Sequence, residues 1–245
     1  RSVQSQTGRK AIEFVIVDGN STDGSADYLR SNSGLVDEFL IESDAGIFDA
    51  MNKGVELAQG DYIYFLNSGD VFSSQYVIHN FVQIARELQD NFLGIQGKVD
   101  IYYKEKYIGI ADPVPWPCHQ SVFLKTEVMK SFRFDSSLQI FGDLDLWRRI
   151  NRVMPLYFHQ VNDTIACMEL DGVGVHPTFF LRRARDKLLL VKNPIEFLKF
   201  VIGLLWETVG YIVYAILGEE IYFTRFIDIK RKLKVLLRLK KAADL

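Results

Sequence analysis

Acidic side chains recur in this sequence where apolar segments end. Asp70 closes the polar turn NSGD at 67–70, which follows the apolar run 62–66, while Asp44 and Asp49 lie in a polar loop ahead of a short helical pattern. In an open α/β sheet, ligands bind at the carboxyl edge of the strands. Because a carboxylate at such an edge can hold a divalent cation, the spacing predicts a cation-assisted phosphate site.

A second acidic turn has the same form nearer the start of the chain. Asp18 follows the apolar run 13–17, and Asp23 precedes a predicted helix at 25–31. Ser, Thr and Asp favour helix N-termini, so these two carboxylates could instead serve only the turn and the helix cap. The pattern alone leaves both interpretations open.

Alternating helical and strand patterns surround these turns. Helical spacing of apolar residues covers 25–31 and 77–88 and resumes at Phe141, while residues 1–7 resemble the end of a helix. Strand patterns cover 13–17, 39–41, 62–66, 93–95, 98–103, 107–110, 122–124, 157–159 and 165–168. We therefore expect an α/β fold with a Rossmann-like, mixed but mostly parallel sheet that is flanked by helices.

The charge of the chain is distributed unevenly. The 245 residues have a net charge of -2, but residues 1–180 contain 15 Lys and Arg against 24 Asp and Glu, whereas residues 181–245 contain 14 against 7. An acidic body with a basic tail suggests an anionic surface as a partner of the tail, and we expect no nucleic-acid partner. The two cysteines, Cys118 and Cys167, form no CxxC pair, which argues against a zinc site or a disulfide framework and favours a reducing cytoplasm.

Four segments in order resemble the inverting nucleotide-sugar glycosyltransferases of family 2, which have the GT-A fold. They are IVDGNSTDG at 16–24, DAGIFDAMNKG at 44–54, FLNSGD at 65–70, and HQ at 119–120 followed by GD at 142–143. The branch that the chain is most similar to builds bacterial exopolysaccharide or O-antigen units, as the colanic-acid transferases do. The resemblance covers residues 1–178 and implies a catalytic domain there, with 179–245 as a basic amphipathic helical tail.

Two departures from the family pattern bear on the site. Relatives begin with a strand and a turn that contacts the nucleotide base, and this first βα unit is absent here. We expect its absence to expose apolar sheet edges. Many relatives also have Asp-x-Asp-Asp where this chain has Asn67-Ser68-Gly69-Asp70, so one carboxylate stands where two or three are usual.

The resemblance assigns roles to particular side chains. It implies that Asp143 is the general base, that Asp70 holds Mg²⁺ or Mn²⁺ on the leaving diphosphate, and that Asp18 contacts the base or ribose of the donor. The other implied substrate-binding residues are Asp44, Asp49, Asn52, Lys53, Asn67, Trp116, His119, Gln120 and His176. Among these, His119 and Gln120 line the acceptor side, Trp116 stacks on a sugar, and His176 reaches the diphosphate from a mobile lid.

Structural interpretations compete with several of these roles. Asp145 is the rival of Asp143 as the base, and Asp70 could simply cap the helix at Val77. Lys53 could be a solvated surface charge, and Trp116 could be a core residue.

The tail contains an apolar stretch at 200–217 that Glu207 interrupts near its middle. A central Glu costs about 3 kcal/mol on insertion scales, so we expect a helix lying on the membrane rather than one crossing it. The basic residues Lys192, Lys199, Arg225, Lys230, Arg231, Lys232, Lys234, Arg238, Lys240 and Lys241 suit anionic lipid, with Ile229, Leu233, Leu236 and Leu237 as the apolar stripe. A helical hairpin packed on the body or on a second copy, as in a homodimer, is the alternative.

The expected function is the inverting transfer of a sugar from a nucleotide-diphosphate donor to a hydroxyl of a saccharide, and the acceptors that we expect are linked to a polyprenyl-diphosphate carrier. The expected location is the cytoplasmic face of the cell membrane. A polyprenyl-phosphate glycosyltransferase, which needs no general base, and a degenerate module that only binds nucleotide or glycan are the two alternatives.

Overall fold

The computed structural model describes residues 1–88, 92–170, 172 and 176–229. Its strands are β1 (Val15–Asp18), β2 (Glu38–Ile41), β3 (Tyr62–Ile63), β4 (Val71–Phe72), β5 (Gly94–Tyr103), β6 (Lys106–Ala111), β7 (Val122–Lys125) and β8 (Phe158–Glu169). Its helices are α1 (Ser25–Ser31), α2 (Ile47–Leu57), α3 (Val77–Glu87), α4 (Thr126–Phe132), α5 (Gly142–Ile150), α6 (Phe180–Leu189) and α7 (Pro194–Ile221). The predicted α/β class and the C-terminal helical extension are confirmed.

The chain forms two compact units. The first unit contains Arg1–Asp100 and Ile110–Met168, and the second unit contains Ile101–Gly109 and Glu169–Leu245. Strand β5 therefore begins in the first unit and strand β6 ends there, while the turn that joins them belongs to the second unit. The basic positions 230–241 of the predicted amphipathic tail lie outside the described residues.

The strands form two sheets. Strands β1 and β2 pair in parallel, and the larger sheet has the order β3-β7-β5-β8-β4, with β6 paired to β5. In the larger sheet the pairs β3–β7, β5–β7 and β4–β8 are antiparallel, although we expected a mostly parallel sheet. Parallel neighbours need a long crossover, which α1 provides between β1 and β2, whereas β5 and β6 are joined by only Lys104 and Glu105. Both of these residues have positive φ, at 46° and 65°, as a tight hairpin turn requires.

Several predicted elements have different bounds in the structure. The predicted strand 62–66 is regular only over Tyr62–Ile63, the segments 93–95 and 98–103 form the single strand β5, and 157–159 and 165–168 are parts of β8. Residues 1–7 form turns instead of a longer helical segment, because the Gln6 side chain donates to the carbonyls of Ser2 and Ser74 and accepts from the backbone of Ile78. These side-chain bonds replace a continued helical ladder.

An apolar cluster supports the segment that follows β3. Its buried members are Val3, Phe72, Val77, Ile78, Phe123 and Ile165. The ring of Phe123 stacks on Phe81 at 4.1 Å and lies 4.5 Å from the ring of Tyr64. Aromatic pairs at these separations add stabilisation beyond burial alone, so residues 64–66 are held against the sheet although they are not a regular strand.

Candidate active site

Asp143 and His119 form the centre of the candidate site. Asp143 is the second residue of α5, and its Oδ2 accepts a hydrogen bond of 3.1 Å from the backbone N–H of His119. The Nδ1 atom of His119 lies 3.0 Å from the same oxygen, and the side chains are 12% (His119) and 20% (Asp143) exposed. Two donors from one residue thus fix the orientation of the carboxylate while part of it remains accessible.

The position of His119 is set by contacts on both sides. Asn67 Nδ2 lies 2.7 Å from His119 Nε2. In the neutral imidazole with its proton on Nδ1, Nε2 accepts a hydrogen bond from Asn67 and Nδ1–H points at Asp143. Just before His119, the indole Nε1–H of Trp147 donates to the carbonyl of Pro117 at 2.7 Å and ties this segment to α5. The ring can therefore bridge the turn at 67–70 and the start of α5.

The electrostatic environment of His119 shifts its pKa in two opposing directions. Burial alone would lower its pKa, but the negative charge of Asp143, the hydrogen bond with that carboxylate and the charge of Asp70 together raise it above the ordinary value. Nearby, burial and the charge of Asp143 raise the pKa of the Cys118 thiol to about 11, so this cysteine stays protonated and is not a nucleophile at neutral pH.

Asp70 meets the residue next to His119. The side-chain amide of Gln120 donates to Asp70 Oδ2 at 3.1 Å, and the backbone N–H of Asp70 donates to the carbonyl of Asn67 at 3.0 Å to close the turn. The hydroxyl of Tyr64 donates to the carbonyl of Gln120 at 2.6 Å and anchors this position. The dipeptide His119–Gln120 therefore joins the two carboxylates that the sequence singled out, Asp70 and Asp143.

Asp145, the rival of Asp143, is engaged in a structural ion pair. Its side chain is buried and accepts a bond of 2.6 Å from Nε of Arg149, four residues further along α5. Arg149 also donates to the backbone carbonyls of Phe132 and Arg133. Asp145 thus helps to attach the end of α4 to α5, which favours Asp143 as the residue available for chemistry.

A second acidic group lies at the ends of β1 and β2. Asp18 Oδ1 accepts from the backbone of Ser21 at 2.7 Å, and Asp44 Oδ1 accepts from the backbone of Gly46 at 2.9 Å. A Cβ atom on Gly19 would lie only 2.5 Å from Asp44 Oδ2, so the Asp44 carboxylate lies directly beside the end of β1. The two predicted donor contacts are therefore held near the same strand edge.

Asp49 and Lys53 belong to α2, whereas we had placed Asp49 in the preceding loop. Helix α2 starts at Ile47 because Asp49 Oδ2 accepts from the backbone of Ala45 at 3.0 Å and so acts within the first turn. Lys53 Nζ donates to Glu42 at 3.0 Å and to the carbonyl of Ser43 at 2.8 Å. The hydrogen bond with Glu42 raises the pKa of Lys53, which keeps the ammonium charged.

The other predicted residues, Asn52, Trp116 and His176, each have surroundings of their own. Asn52 uses both atoms of its amide on the backbone of Phe134, at 2.9 Å each, and its role in donor binding remains a prediction. Trp116 is 40% exposed in the proline-rich segment before His119. His176 lies in the second unit, where its Nδ1 is 2.7 Å from Thr178 Oγ1 and its ring contacts Tyr214.

Asp70 is the residue that fits a cation here. Within the described residues, no group of three or more His, Cys, Asp or Glu side chains could hold a metal ion. One partly buried carboxylate fits Mg²⁺ or Mn²⁺ when donor phosphates and water supply the other ligands, which is the usual way in which Mg²⁺ is held. The residues thus fit a cation that arrives with its nucleotide, and they do not form a protein cage.

Tyr64 and Phe134 were not identified from the sequence. Tyr64 lies in an apolar run that indicates only a strand, and the bond from its hydroxyl joins residues 56 positions apart. Burial and the nearby charge of Asp70 hold the pKa of Tyr64 well above its usual value, so the hydroxyl remains a donor. The Asn52–Phe134 contact spans 82 positions and has no local signal in the sequence.

Sequence comparisons identify relatives over the first part of the chain. The family model for glycosyl transferase family 2 matches residues 1–128. An uncharacterized glycosyltransferase of Mycobacterium tuberculosis (strain ATCC 25618 / H37Rv) is 37% identical over 83 residues, which cover 34% of this chain and 32% of that protein. A PGL/p-HBAD biosynthesis glycosyltransferase of Mycobacterium bovis (strain BCG / Pasteur 1173P2) is 35% identical over 95 residues, covering 38% and 34%. The chain thus matches about a third of the length of these curated relatives.

The structure is also similar to solved structures of S. aureus TarS. The complex of TarS 1–349 with UDP-GlcNAc aligns with a TM-score of 0.55 and 12% identity over 88% of this chain and 67% of that one. The complex with UDP aligns with a TM-score of 0.54 and 13% identity over 76% and 60%. This likeness is one of fold, and it agrees with the predicted GT-A-type architecture. Together with the match over 1–128, it leads to one conclusion: the chain belongs to glycosyl transferase family 2.

Proposed function

We propose that this protein transfers a sugar, with inversion, from a nucleotide-diphosphate donor to a hydroxyl of a saccharide in the synthesis of a bacterial surface polysaccharide. The observation that carries the proposal is the pair of contacts Asp70–Gln120 and His119–Asp143. A transferase of this kind needs one carboxylate beside the leaving diphosphate and another beside the incoming hydroxyl. Here both carboxylates are bound by adjacent residues.

Asp143 is the general base in this proposal. The acceptor hydroxyl attacks the anomeric carbon from the face opposite the diphosphate, and Asp143 takes the proton as the new bond forms. His119 holds the carboxylate through its backbone N–H and, in the neutral tautomer, through Nδ1–H. The N-terminal position of Asp143 in α5 favours its ionised form.

Asp70 and the acidic group around Asp18 and Asp44 form the donor side. Asp70 would hold the divalent cation, which supplies a Lewis acid that neutralises charge on the departing diphosphate. Asp18 contacts the base or ribose, and the fixed ammonium of Lys53 offsets negative charge on the donor. The TarS complexes contain UDP and UDP-GlcNAc, which supports a nucleotide donor for a chain of this fold.

The acceptor that we propose is carried on a polyprenyl diphosphate at the cytoplasmic face of the membrane. Residues 181–245 contain 14 Lys and Arg against 7 Asp and Glu, and a basic segment is attracted to anionic lipid. We retain 1–178 as the catalytic domain and 179–245 as the tail that brings it to this surface.

The test is a donor and acceptor screen with the purified chain. UDP- and GDP-sugars are offered with Mn²⁺ and either saccharide acceptors or polyprenyl-diphosphate-linked saccharides, and the release of UDP or GDP is measured. We expect release that depends on an acceptor hydroxyl, with the anomeric configuration of the product inverted by NMR. Transfer to polyprenyl phosphate, offered as a separate acceptor, and to no saccharide would identify the lipid-phosphate alternative. Binding of a nucleotide or a glycan without any transfer would identify a degenerate module.

A further inference from the structure

Helix α7 has one side that packs against protein in the second unit. Glu207 is on this side, where its carboxylate accepts from Arg183 Nε at 2.8 Å and from Lys187 Nζ at 3.3 Å. The Glu207 side chain is only 10% exposed, and Arg183 also donates to the carbonyl of His176 at 2.7 Å. The single charge in the apolar stretch 200–217 is therefore directed inward and neutralised by α6.

The protein-facing side continues along α7 at helical spacing. Gly210 is buried against Tyr222 and Phe226, and a Cβ atom there would lie 2.9 Å from the Phe226 ring. Gly218, with φ of 83°, interrupts the helix so that the following residues fold back onto it. The residues 222–226 cover this part of α7, and α6 covers the part around Glu207.

The opposite side of α7 is apolar and uncovered in the second unit. Its residues are between 37% and 73% exposed, and they are Val201, Ile202, Leu205, Trp206, Val209, Ile212, Ile216 and Leu217. The hydroxyl of Thr208 on this side donates to the carbonyl of Leu204 at 3.0 Å, so it needs no water. We call this surface, from 201 to 217, the apolar face.

Such a face is unusual in contact with water. The most apolar window of the helix Pro194–Ile229 has a mean hydropathy of 1.9, only 6% of that window is buried, and by length and composition the helix could cross a membrane. A surface that binds another protein usually offers polar groups for hydrogen bonds, about one per 100–200 Å² of interface, whereas the polar groups of a lipid-facing surface must be hydrogen-bonded within the protein. Thr208 bonds within its own helix and Glu207 points inward, so the apolar face resembles a lipid-facing surface.

Charged groups border the apolar face at both ends. Lys192 and Lys199 are exposed at its start. At the Gly218 end, Glu219 and Glu220 form ion pairs with Lys104 and Lys106, at 3.5 Å and 3.0 Å. Lys104 and Lys106 belong to the turn between β5 and β6, which is continuous with the first unit through both strands. Both ends of the apolar face thus carry charged side chains, which suits contact with the lipid headgroups.

From these contacts we infer that α7 lies in the plane of a lipid bilayer, with the apolar face immersed in the acyl chains and Glu207 turned away from them. This rests on the membrane association proposed above and deepens it, because it names the side of α7 that enters the lipid. A helix that lies in the interface binds by buried apolar area as well as by charge. The immersed face should therefore bind neutral lipid, and the binding should survive salt.

The first experiment uses the full chain with vesicles of phosphatidylcholine alone, with and without about 1 M NaCl, where the Debye length is about 3 Å. We expect flotation with the vesicles under both conditions. Replacing Leu205 and Ile216 with Lys should lower the partition at least ~10-fold, because Lys on a lipid-facing surface is strongly disfavoured. The matched control replaces the exposed Val153 and Tyr157 of the first unit with Lys and should keep the partition.

The second experiment measures immersion directly. Vesicles of phosphatidylcholine brominated on its acyl chains should quench Trp206, so Trp206→Phe should remove most of the quenching while Trp116→Phe retains it. These two indoles are 43% and 40% exposed, so exposure alone does not distinguish them. Binding only to anionic vesicles at low salt would contradict immersion of the apolar face and would support association through the basic tail. Self-association through the apolar face, without quenching of Trp206, would also contradict immersion and would show that a second copy of the chain covers this face.

Discussion

Replacing Asp143 with Asn separates the chemical role of this residue from its structural one. The new amide keeps its oxygen as the acceptor for both donors of His119, which lie 3.1 Å and 3.0 Å from Oδ2, and it loses only the 3.2 Å contact of His119 Nδ1 with Oδ1. At a partly exposed site this costs about 1 kcal/mol of unfolding free energy. Loss of a general base lowers the rate roughly 10²–10⁴-fold, equivalent to about 3–5 kcal/mol of barrier. The catalytic loss should therefore exceed the stability loss several-fold.

The assay combines three readouts on the same variant. Turnover is measured as UDP or GDP release with a saccharide acceptor, stability by urea unfolding, and the pKa of His119 by NMR of its imidazole protons. That pKa should fall in the variant, because burial lowers it and the charge of Asp143 is the leading cause that raises it. Asp145→Asn is the matched control: it breaks the pair with Arg149, should cost about 1–3 kcal/mol of stability, and should keep turnover.

The reasoning is refuted if Asp143→Asn leaves turnover within a few-fold of wild type while the pKa of His119 falls. The carboxylate would then be a partner of His119 only, and the lipid-phosphate alternative, which needs no base, would be favoured. A loss of turnover matched by global unfolding in the same buffer would equally remove the assignment.

Three further predictions test the surroundings of the site. Because the pKa of His119 is higher in the folded chain than the value of about 6.5 in the unfolded chain, protonation of His119 stabilises the fold at low pH, and this stabilisation should be lost as the pH rises through the raised pKa. The unfolding free energies of wild type and His119→Gln, measured with urea from about pH 6 to about pH 8, should therefore converge at the upper end of this range. Gly142→Ala places a Cβ atom 2.6 Å from the Phe48 ring and should lower the free energy of unfolding in urea by about 1–3 kcal/mol. The control Gly34→Ala, where no atom lies within 4 Å of the new Cβ, should lower it by less than about 1 kcal/mol, and equal losses would contradict the packing of Gly142 against Phe48. Asn52→Ala removes both bonds to Phe134 and should lower stability by about 1–2 kcal/mol with little change in the KM for donor, while a large KM increase in a stable protein would restore the predicted role in donor binding.

The sequence marks Asp70 locally, because this residue ends a polar turn after an apolar run at the expected carboxyl edge of a sheet. Asp143 is assigned by the family resemblance, and its role as the general base stays a prediction. The structure adds the link itself, since Gln120 reaches Asp70 and His119 reaches Asp143. The ion pair of Asp145 with Arg149 has (i, i+4) spacing and could also have been found from the sequence.

Other features depend on contacts between distant residues and have no local pattern. The sequence gives no indication of the partners of Glu207, because Arg183 and Lys187 lie 24 and 20 residues earlier on another helix. Asn52 was assigned to the donor because its motif gives no indication of Phe134. The mostly parallel sheet was expected from alternating elements, but short connections such as Lys104–Glu105 determine strand direction instead.

The most direct test of the account is a calorimetric titration of UDP and of GDP into the wild-type chain and Asp70→Asn, each with and without Mn²⁺. The account predicts that one nucleotide binds wild type at least ~10-fold more tightly with Mn²⁺, because Asp70 supplies the one protein carboxylate for the cation. Asp70→Asn should lose this difference, while Asp143→Asn should keep it. Binding of either nucleotide that is equally strong without Mn²⁺, or that is unchanged in Asp70→Asn, would contradict the assignment of the donor site to Asp70.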